Sequence, residues 1–362
     1  MSNHYSINCL PCGHGDSILV EYGDRTDPSR ILIDGGPASH YETLREALRA
    51  IPKERRSFEL LVVSHIDTDH IDGALILLQD EDLGATFNDV WFNGWPQLES
   101  ISVNTPPDVF APQQGEFLGS LLQEHHWNAS FQEYDGRVAV PSSGPLPSLQ
   151  LSGGATITLL SPPDTKLLAL RKAWTRALRE AGMKPGDWVD AAARLAQRKE
   201  YKPKAPRKDV FAAKAFGSDS SAANGASIAF ILEYRGCKVL FGADAHVAVL
   251  TNALHRLAEQ QGVERVLLDA VKLPHHGSMA NIDGEFLDVI KAPRFLVSTN
   301  GAHFGHPDPD TIRLLADRAP GAEIRFNYRS DTTQIWEDTE LAATQNIQPI
   351  YPPDGQVLDL TL

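Results

Sequence analysis

Five apolar runs in this chain each lead into carboxylate, imidazole or amide side chains, and that recurrence restricts the fold more than any other feature. Ile31-Leu32-Ile33 leads to Asp34-Gly35-Gly36, and Leu60-Leu61-Val62-Val63 leads to Ser64-His65-Ile66-Asp67-Thr68-Asp69-His70. Cys237–Phe241 leads to Asp244, and Val271-Lys272-Leu273 to Pro274-His275-His276-Gly277-Ser278. Phe295-Leu296-Val297 leads to Ser298-Thr299-Asn300, with His303 and His306 just beyond. A short apolar run bounded by turn residues has the pattern of a buried strand. Several strands that deliver polar side chains at one end build a site on a sheet rim, where glycine lets backbones approach closely.

The densest of these ends places His65, Asp67, Asp69 and His70 within six positions. A helix cap would need one such side chain. Four of them in one small volume need something positive to hold them together. Imidazole with carboxylate suits zinc, or manganese and iron where the set is richer in oxygen.

The ordered series resembles the metallo-β-lactamase superfamily of hydrolases. Within it, the nearest likeness is to the hydrolase domain of ComEC-type DNA-uptake proteins and to related phosphorylcholine esterases. The resemblance rests on Gly13-His14-Gly15-Asp16-Ser17, on H-x-D-x-D-H in place of the commoner H-x-H-x-D-H, and on the His-His-Gly-Ser and Gly-His-Pro steps. It implies an α/β fold, a four-layer αββα sandwich in one domain over residues 1–362, interrupted by a basic helical insertion at about 165–222.

The same resemblance implies a two-metal centre. His65 and Asp67 would hold the first ion, Asp69 and His70 the second, and Asp244 would bridge them. One of His275 and His276, with His276 preferred, would complete the second ion's ligands. Asp16 and Asp34 would orient ligands from behind, as ligating imidazoles generally require. Asp67 stands where the wider superfamily has histidine. The histidine often found on the third strand has no evident equivalent: Asn93 ends that strand, and His125 and His126 read as surface residues. The first site is therefore expected to be oxygen-rich, with zinc as the leading ion and manganese as the alternative.

Two divalent ions bridged by Asp244 could share a water and lower its pKa towards neutrality. The catalytic group expected is His306, His275 and Asp69, the two imidazoles being candidate proton partners for a leaving group. Ser278, Asn300 and His303 could contact substrate. His14, His40 and His246 read as supporting residues.

Residues 171–208 hold 12 Lys or Arg against 4 Asp or Glu, a local excess of 8 in a chain of net charge −14. Leu167, Leu170, Trp174 and Leu178 fall at helical spacing. Arg171, Lys172, Arg176 and Arg179 lie between them, positioned to grip a phosphate backbone, and Trp174, Trp188 and Tyr201 could stack on bases. The alternative is an inserted flap whose charges are merely solvated and whose aromatics pack. Two function classes follow. One is a metal-dependent phosphodiesterase, a nuclease acting on DNA or RNA. The other is a small-molecule phosphoester, lactone or thioester hydrolase, favoured by the overall acidity, which opposes long-range attraction of nucleic acid. A metal-binding module without turnover is the third and weakest reading, because it would be expected to lack the bridging carboxylate.

No run approaches the ~18 apolar residues of a membrane span, and no basic-then-apolar leader opens the sequence, so a cytoplasmic protein is expected. Three cysteines cannot all pair, and Cys9 and Cys12 read as structural. Predicted strands lie near 5–10, 17–22, 30–34, 59–64, 88–92, 138–140, 155–160 and 226–232, then at the runs ending in Asp244, Leu273 and Ser298. Helices are predicted near 41–51, after His70, over 115–126, 247–261 and 309–318.

Overall fold

The computed structural model describes residues 3–101, 112–205 and 221–362. Two sheets hold most of the strands. The first runs, edge to edge, Leu358–Thr361, Asn3–Cys9, Ile18–Asp24, Asp27–Ile33, Ser57–Val62 and Thr86–Trp91. The second runs Gln348–Ile350, Glu323–Phe326, Arg294–Val297, Ala270–Lys272, Cys237–Phe241, Ala229–Tyr234, Thr156–Ser161 and Ser148–Gln150. Each sheet has an antiparallel half made of hairpins and a parallel half. In the first, Ile31 pairs with Leu60 and Leu60 with Asp89 in parallel register. In the second, Val239 pairs with Ala270 and Val271 with Phe295. Parallel neighbours need a crossover, and the helices Val247–Gln261 and Pro309–Arg318 supply two of them.

Side chains alternate across a strand, and this alternation separates the two faces of the first sheet. Ile7, Cys9, Val20, Ile31, Ile33, Leu60 and Val62 join one core with Ile157, Leu159, Phe230, Leu232, Val239 and Phe241 of the second sheet. Leu32, Leu61 and Val63 face the opposite way, into a second core with the helices Tyr41–Arg49 and Thr68–Leu77. Tyr5 crosses between the sheets, its hydroxyl donating to the Leu232 carbonyl at 3.2 Å. Helices cover both outer faces, which makes the expected αββα sandwich. Among the described residues, no helix is long and apolar enough to cross a membrane.

Three details depart from the sequence reading. Residues 138–140 form no strand; Val140 makes only an isolated bridge to Pro163. The segments Gln348–Ile350 and Leu358–Thr361, beyond the reach of the family resemblance, close one edge of each sheet. The insertion packs into the helical layer over the first sheet. Leu167, Leu170, Trp174 and Leu178 of the helix Asp164–Glu180, and Ala191 and Leu195 of Trp188–Gln197, belong to that core. The part of the insertion at 206–220, including Arg207 and Lys208, lies outside the described residues.

The fully buried Trp174 indole donates to Glu116 Oε1 at 2.6 Å, and Gly186 N donates to Oε2 at 3.0 Å. Burial pushes the Glu116 carboxyl up against the pull of these two donors, to about 7 from an ordinary 4.5. A raised folded-state pKa means the folded chain holds a proton that the unfolded chain has released. Glu116 therefore supports folding at low pH, and that support fades as pH rises from about 4.5 to about 7. Denaturant titrations across this window should show stability falling with pH in the native chain, and Glu116→Gln should flatten the slope. An unchanged slope would show that Glu116 is ionised throughout.

Candidate metal centre

The site lies where parallel strands of both sheets end. Asp34 follows the strand Asp27–Ile33, Ser64 and His65 follow Ser57–Val62, and Asp69 and His70 open the helix Thr68–Leu77. From the second sheet, Asp244 follows Cys237–Phe241, and His275 and His276 follow Ala270–Lys272. The backbone is unusual here. Asp34, Ala243, His275 and His276 adopt left-handed φ of 59°, 44°, 45° and 54°. Such conformations in residues other than glycine cost on the order of 1–3 kcal/mol each and persist where surrounding contacts over-determine them.

Two sets of ligand atoms flank Asp244. On one side, His70 Nε2 is 3.5 Å from Asp244 Oδ1, His276 Nε2 is 3.7 Å from it, and Asp69 Oδ2 is 3.8 Å from His70 Nε2 and 3.6 Å from His276 Nε2. On the other, His65 Nε2 is 3.9 Å from Asp244 Oδ2 and 3.6 Å from Asp67 Oδ2, while His275 Nε2 is 3.7 Å from Asp244 Oδ2. These separations are too long for hydrogen bonds. They match the edges of a coordination polyhedron: ligand bonds of about 2.1 Å in a tetrahedron give edges of about 3.4 Å. His65 Nε2, His70 Nε2, His276 Nε2 and Asp244 Oδ1 are all buried without a hydrogen-bond partner. Groups of buried His and Asp residues here can hold a metal ion, among them His65 with His70 and Asp244, and Asp69 with His70 and His276.

The hydrogen bonds behind the imidazoles explain why every Nε2 is turned inward: with Nδ1 engaged, Nε2 is the nitrogen left for a metal ion or a second proton. His276 Nδ1 faces the Ser298 carbonyl at 2.7 Å and His70 Nδ1 faces Asp34 Oδ2 at 2.8 Å. Both acceptors oblige Nδ1 to carry the proton. Ser64 donates from N and Oγ to Asp34, each at 2.7 Å, so its Oγ accepts from His65 Nδ1 at 3.0 Å. Asn281 donates from Nδ2 to the carbonyls of Asp244 and Ala245, which leaves its Oδ1 to accept from His275 Nδ1 at 2.8 Å. Partners of this kind fix tautomer and ring orientation in metal sites.

Electrostatics follow from burial and crowding. Burial alone would push the Asp244 and Asp69 carboxyls up, but the surrounding histidines outweigh it and hold both low. The same burial opposes charge on His70 and His276, yet Asp244 and neighbouring carboxylates hold His70 well above its ordinary value and His276 at about 9. Asp16 forms a buried ion pair with Lys272, and this keeps its carboxyl low although burial opposes it.

The expected ligands His65, Asp67, Asp69, His70, Asp244 and His276 thus meet around one carboxylate, with Asp34 directly behind them. Asp16 Oδ1 stands 3.5 Å from His276 Nδ1, a long contact, while its other oxygen pairs with Lys272. The sequence leaves His275 open as a ligand or as a proton partner. Both adjacent histidines turn to Asp244, His276 towards Oδ1 and His275 towards Oδ2. Asn93 bonds the Val138 backbone on both sides of its amide. Ser64, Lys272 and Asn281 were missed. Lys272 did leave a signal, a lone cation in an apolar strand, whereas nothing in the spacing marks Asn281.

Around the mouth, His306 lies with its ring 5.4 Å from that of His275 and its Nδ1 3.5 Å from Asp308 Oδ1. Burial, then the nearby His275, push its pKa down. His303 is exposed and stacks on His14 at 5.0 Å. Ser278 is buried beside His276, and Asn300 Oδ1 accepts from Ala302 N in its own loop. The basic residues of the insertion are placed elsewhere. Arg171 donates to the Ile101 carbonyl and lies over the Trp95 ring, Arg176 pairs with Glu180 at 3.3 Å, and Arg179 is exposed in the last turn of its helix. Lys172 is half-buried on the same helix.

No family model matches the chain, and no curated protein matches it. Among solved structures it is similar to CmlA, a diiron beta-hydroxylase from Streptomyces venezuelae, at 12% identity and a TM-score of 0.38; the alignment covers 100% of this chain and 54% of that one. The chain therefore spans about half the length of that structure. It is also similar to metallo-β-lactamase SMB-1 bound to 2-mercaptoethanesulfonate, at 12% identity and a TM-score of 0.30, over 75% of this chain and 82% of that one. A protein of unknown function from Enterococcus faecalis V583 aligns at 10% identity and a TM-score of 0.24, over 97% and 88% of the two chains.

Elemental analysis of the zinc- or manganese-loaded protein should find two ions per chain. His275→Ala should lose the ion on the His65 side and keep the other. Asp244→Ala should lose ordered binding of both while keeping the fold, because the sheets carry the core. Full occupancy in Asp244→Ala would exclude the bridge. Asp67→His should shift preference towards zinc, because nitrogen donors suit zinc; an unchanged preference would place Asp67 outside the ligand set.

Proposed function

We propose that this chain is a metal-dependent hydrolase of the metallo-β-lactamase superfamily, using two divalent ions to cleave phosphodiesters, with nucleic acid as its substrate class. One observation carries the reading: four buried polar atoms, three Nε2 and one Oδ1, converge without hydrogen-bond partners beside the half-buried Asp67 and His275. A buried polar atom without a hydrogen bond is costly, and an array of them aimed at one volume is explained by cations. Two divalent ions held there would lower the pKa of a water and stabilise charge on an ester oxygen.

The chain's own residues set the rest. Asp244 presents one oxygen to each ligand set and so fixes their separation. Asp34 and Asn281 lock three rings from behind. His306, its pKa pushed down by burial, turns Nδ1 towards Asp308, which leaves the Nε2 lone pair to take a proton from water or substrate. Ser278, Asn300 and His303 stand on the loops that border the opening.

The pairing of the insertion's cations favours the second reading, a small phosphoester, lactone or thioester substrate. Arg194 pairs with Asp190 at 2.8 Å and Lys204 with Asp82 at 2.6 Å, in addition to the engagement of Arg171 and Arg176. Hydrolysis of single- and double-stranded DNA, RNA and bis(p-nitrophenyl) phosphate, assayed with zinc or manganese, separates the two. Arg171 is built into helix packing, so charge reversal is best confined to Lys172, Arg176 and Arg179. If the insertion grips nucleic acid, the triple reversal to Glu should weaken DNA binding and reduce its salt dependence, by roughly 0.9 in slope for each duplex phosphate that is no longer neutralised. Cleavage of bis(p-nitrophenyl) phosphate should hold within about twofold, a change of under 0.5 kcal/mol in barrier. Equal losses on both substrates would identify the insertion as a structural cap and favour the small-molecule reading.

A further inference from the structure

Large apolar side chains are exposed at only a few of the described positions, and two of these lie on the loops that frame the metal centre. Phe304 is 55% exposed and Met279 41%. Their loops are tied together: Met279 N donates to Asp308 Oδ2 at 2.7 Å, and Asp308 N to the Gly277 carbonyl at 3.1 Å. Phe304 is also the centre of a ring cluster that begins at a ligand. Its centroid is 6.4 Å from His275, 6.0 Å from His306 at an interplanar angle of 24°, and 4.3 Å from His303 at 87°.

Exposure here does not come from a loose loop. Gly301 and Gly305 take left-handed φ of 71° and 77°, and Gly305 N donates to the Gly301 carbonyl at 3.0 Å, closing a tight turn around Phe304. Asn300 N donates to the Gly13 carbonyl at 2.9 Å and Thr332 Oγ1 to the His306 carbonyl at 2.9 Å, which fasten both ends. A turn fastened at both ends therefore holds the phenyl ring partly in water, where it forgoes some of the burial that favours an apolar side chain. The insertion's aromatics, candidates for base stacking by sequence, are engaged elsewhere: Trp174 and Tyr201 are buried in the helical layer, and Trp188 packs against Gly119.

We infer that Phe304 is the stacking platform for a nucleobase next to the scissile phosphate, so that the substrate is recognised by one base plane beside the metals. The inference rests on the phosphodiesterase reading for the position of the phosphate. A planar base suits this site because a flat, rigid ring bordered by imidazoles offers stacking without base-specific hydrogen bonds, and stacking of this kind is tolerant of sequence. Phe304 lies one ring away from His275, whose Nε2 faces Asp244, within the reach of a single nucleotide. Phe304 is a positioning residue; it takes no part in bond cleavage.

The test uses 2-aminopurine mononucleotide and the metal-loaded protein. Base fluorescence should be quenched on binding, Phe304→Ala should bind about tenfold more weakly with less quenching, and Phe304→Trp should restore both. In parallel, KM for a dinucleotide should be lower than for its analogue with one abasic residue, and Phe304→Ala should bring the two values together while leaving the order of kcat intact. Binding and quenching that are equal in the native chain and Phe304→Ala, or absent from both, overturn the platform. Cleavage of both dinucleotides without preference for the base also overturns it and leaves the phosphodiesterase reading standing. Phe304-dependent binding with no cleavage of either dinucleotide supports the platform and removes the phosphodiesterase reading.

Discussion

Crowding of buried carboxylates around Asp244 is the constraint to which the rest of the site answers. Asp69 and Asp244 are buried and Asp67 is half-buried, and four imidazoles face them. Like charges this close repel strongly in a medium that screens poorly. Every Nδ1 is held by an acceptor behind it, so a neutral ring offers the carboxylates only a lone pair, which adds to the repulsion. Protons on Nε2 can relieve part of the conflict, and the neighbouring carboxylates pull the pKa of His70 and His276 up in that direction. Metal ions relieve it more fully, because they accept all the lone pairs at once. Metal binding here would therefore be linked to the integrity of this end of the sandwich.

The sandwich makes that crowding achievable. Carboxyl ends of parallel strands from both sheets point to the same edge, so each sheet contributes part of each ligand set without long loops. Close backbone approach then does the fine placement. A Cβ on Gly15 would lie 1.8 Å from the Asp69 carbonyl oxygen, and one on Gly35 would lie 2.1 Å from Ala74 N. The helix that starts with Asp69 and His70 is pressed against both loops, and a side chain at either glycine would displace the ligands. The left-handed backbones of His275 and His276 belong to the same design. They put two successive imidazoles on opposite sides of one carboxylate, which an extended chain would also separate but would carry away from Asp244.

Much of this was legible in the sequence because strand ends are marked twice, once by the apolar run and once by the polar residue after it. The two sheets, the crossover helices and the convergence of His65, Asp69, His70, Asp244 and His276 all follow from that double mark. What was hidden depended on three-dimensional neighbours. Asn281 acts through a carboxamide six residues after His275, and Ser298 acts through its backbone carbonyl, which any residue could supply. The turn of His275 towards Asp244 was hidden too, because spacing alone cannot show how two adjacent side chains diverge when both residues adopt φ near 50°. The strands Gln348–Ile350 and Leu358–Thr361 were missed because they are short edge strands, one interrupted by proline, with little apolar pattern.

The insertion shows why a local charge excess is a poor guide to what a surface binds. Its cations alternate with leucines and alanines along helices that must pack, so several become part of that packing. Arg194 bonds the Gly182 carbonyl as well as Asp190, and Arg171 lies between a carbonyl and an indole. Charges placed this way are partly neutralised before a phosphate arrives, and exposed pairs of this kind hold only weakly. Recognition can come instead from the loops around Asp244, which are already fastened by their own hydrogen bonds. A ring on such a loop needs no extra ordering when substrate binds, and contacts that are ordered in advance retain more of their binding energy. On that reasoning a selective surface is expected beside His275 and His306, while the insertion's apolar residues cover the outer face of the first sheet.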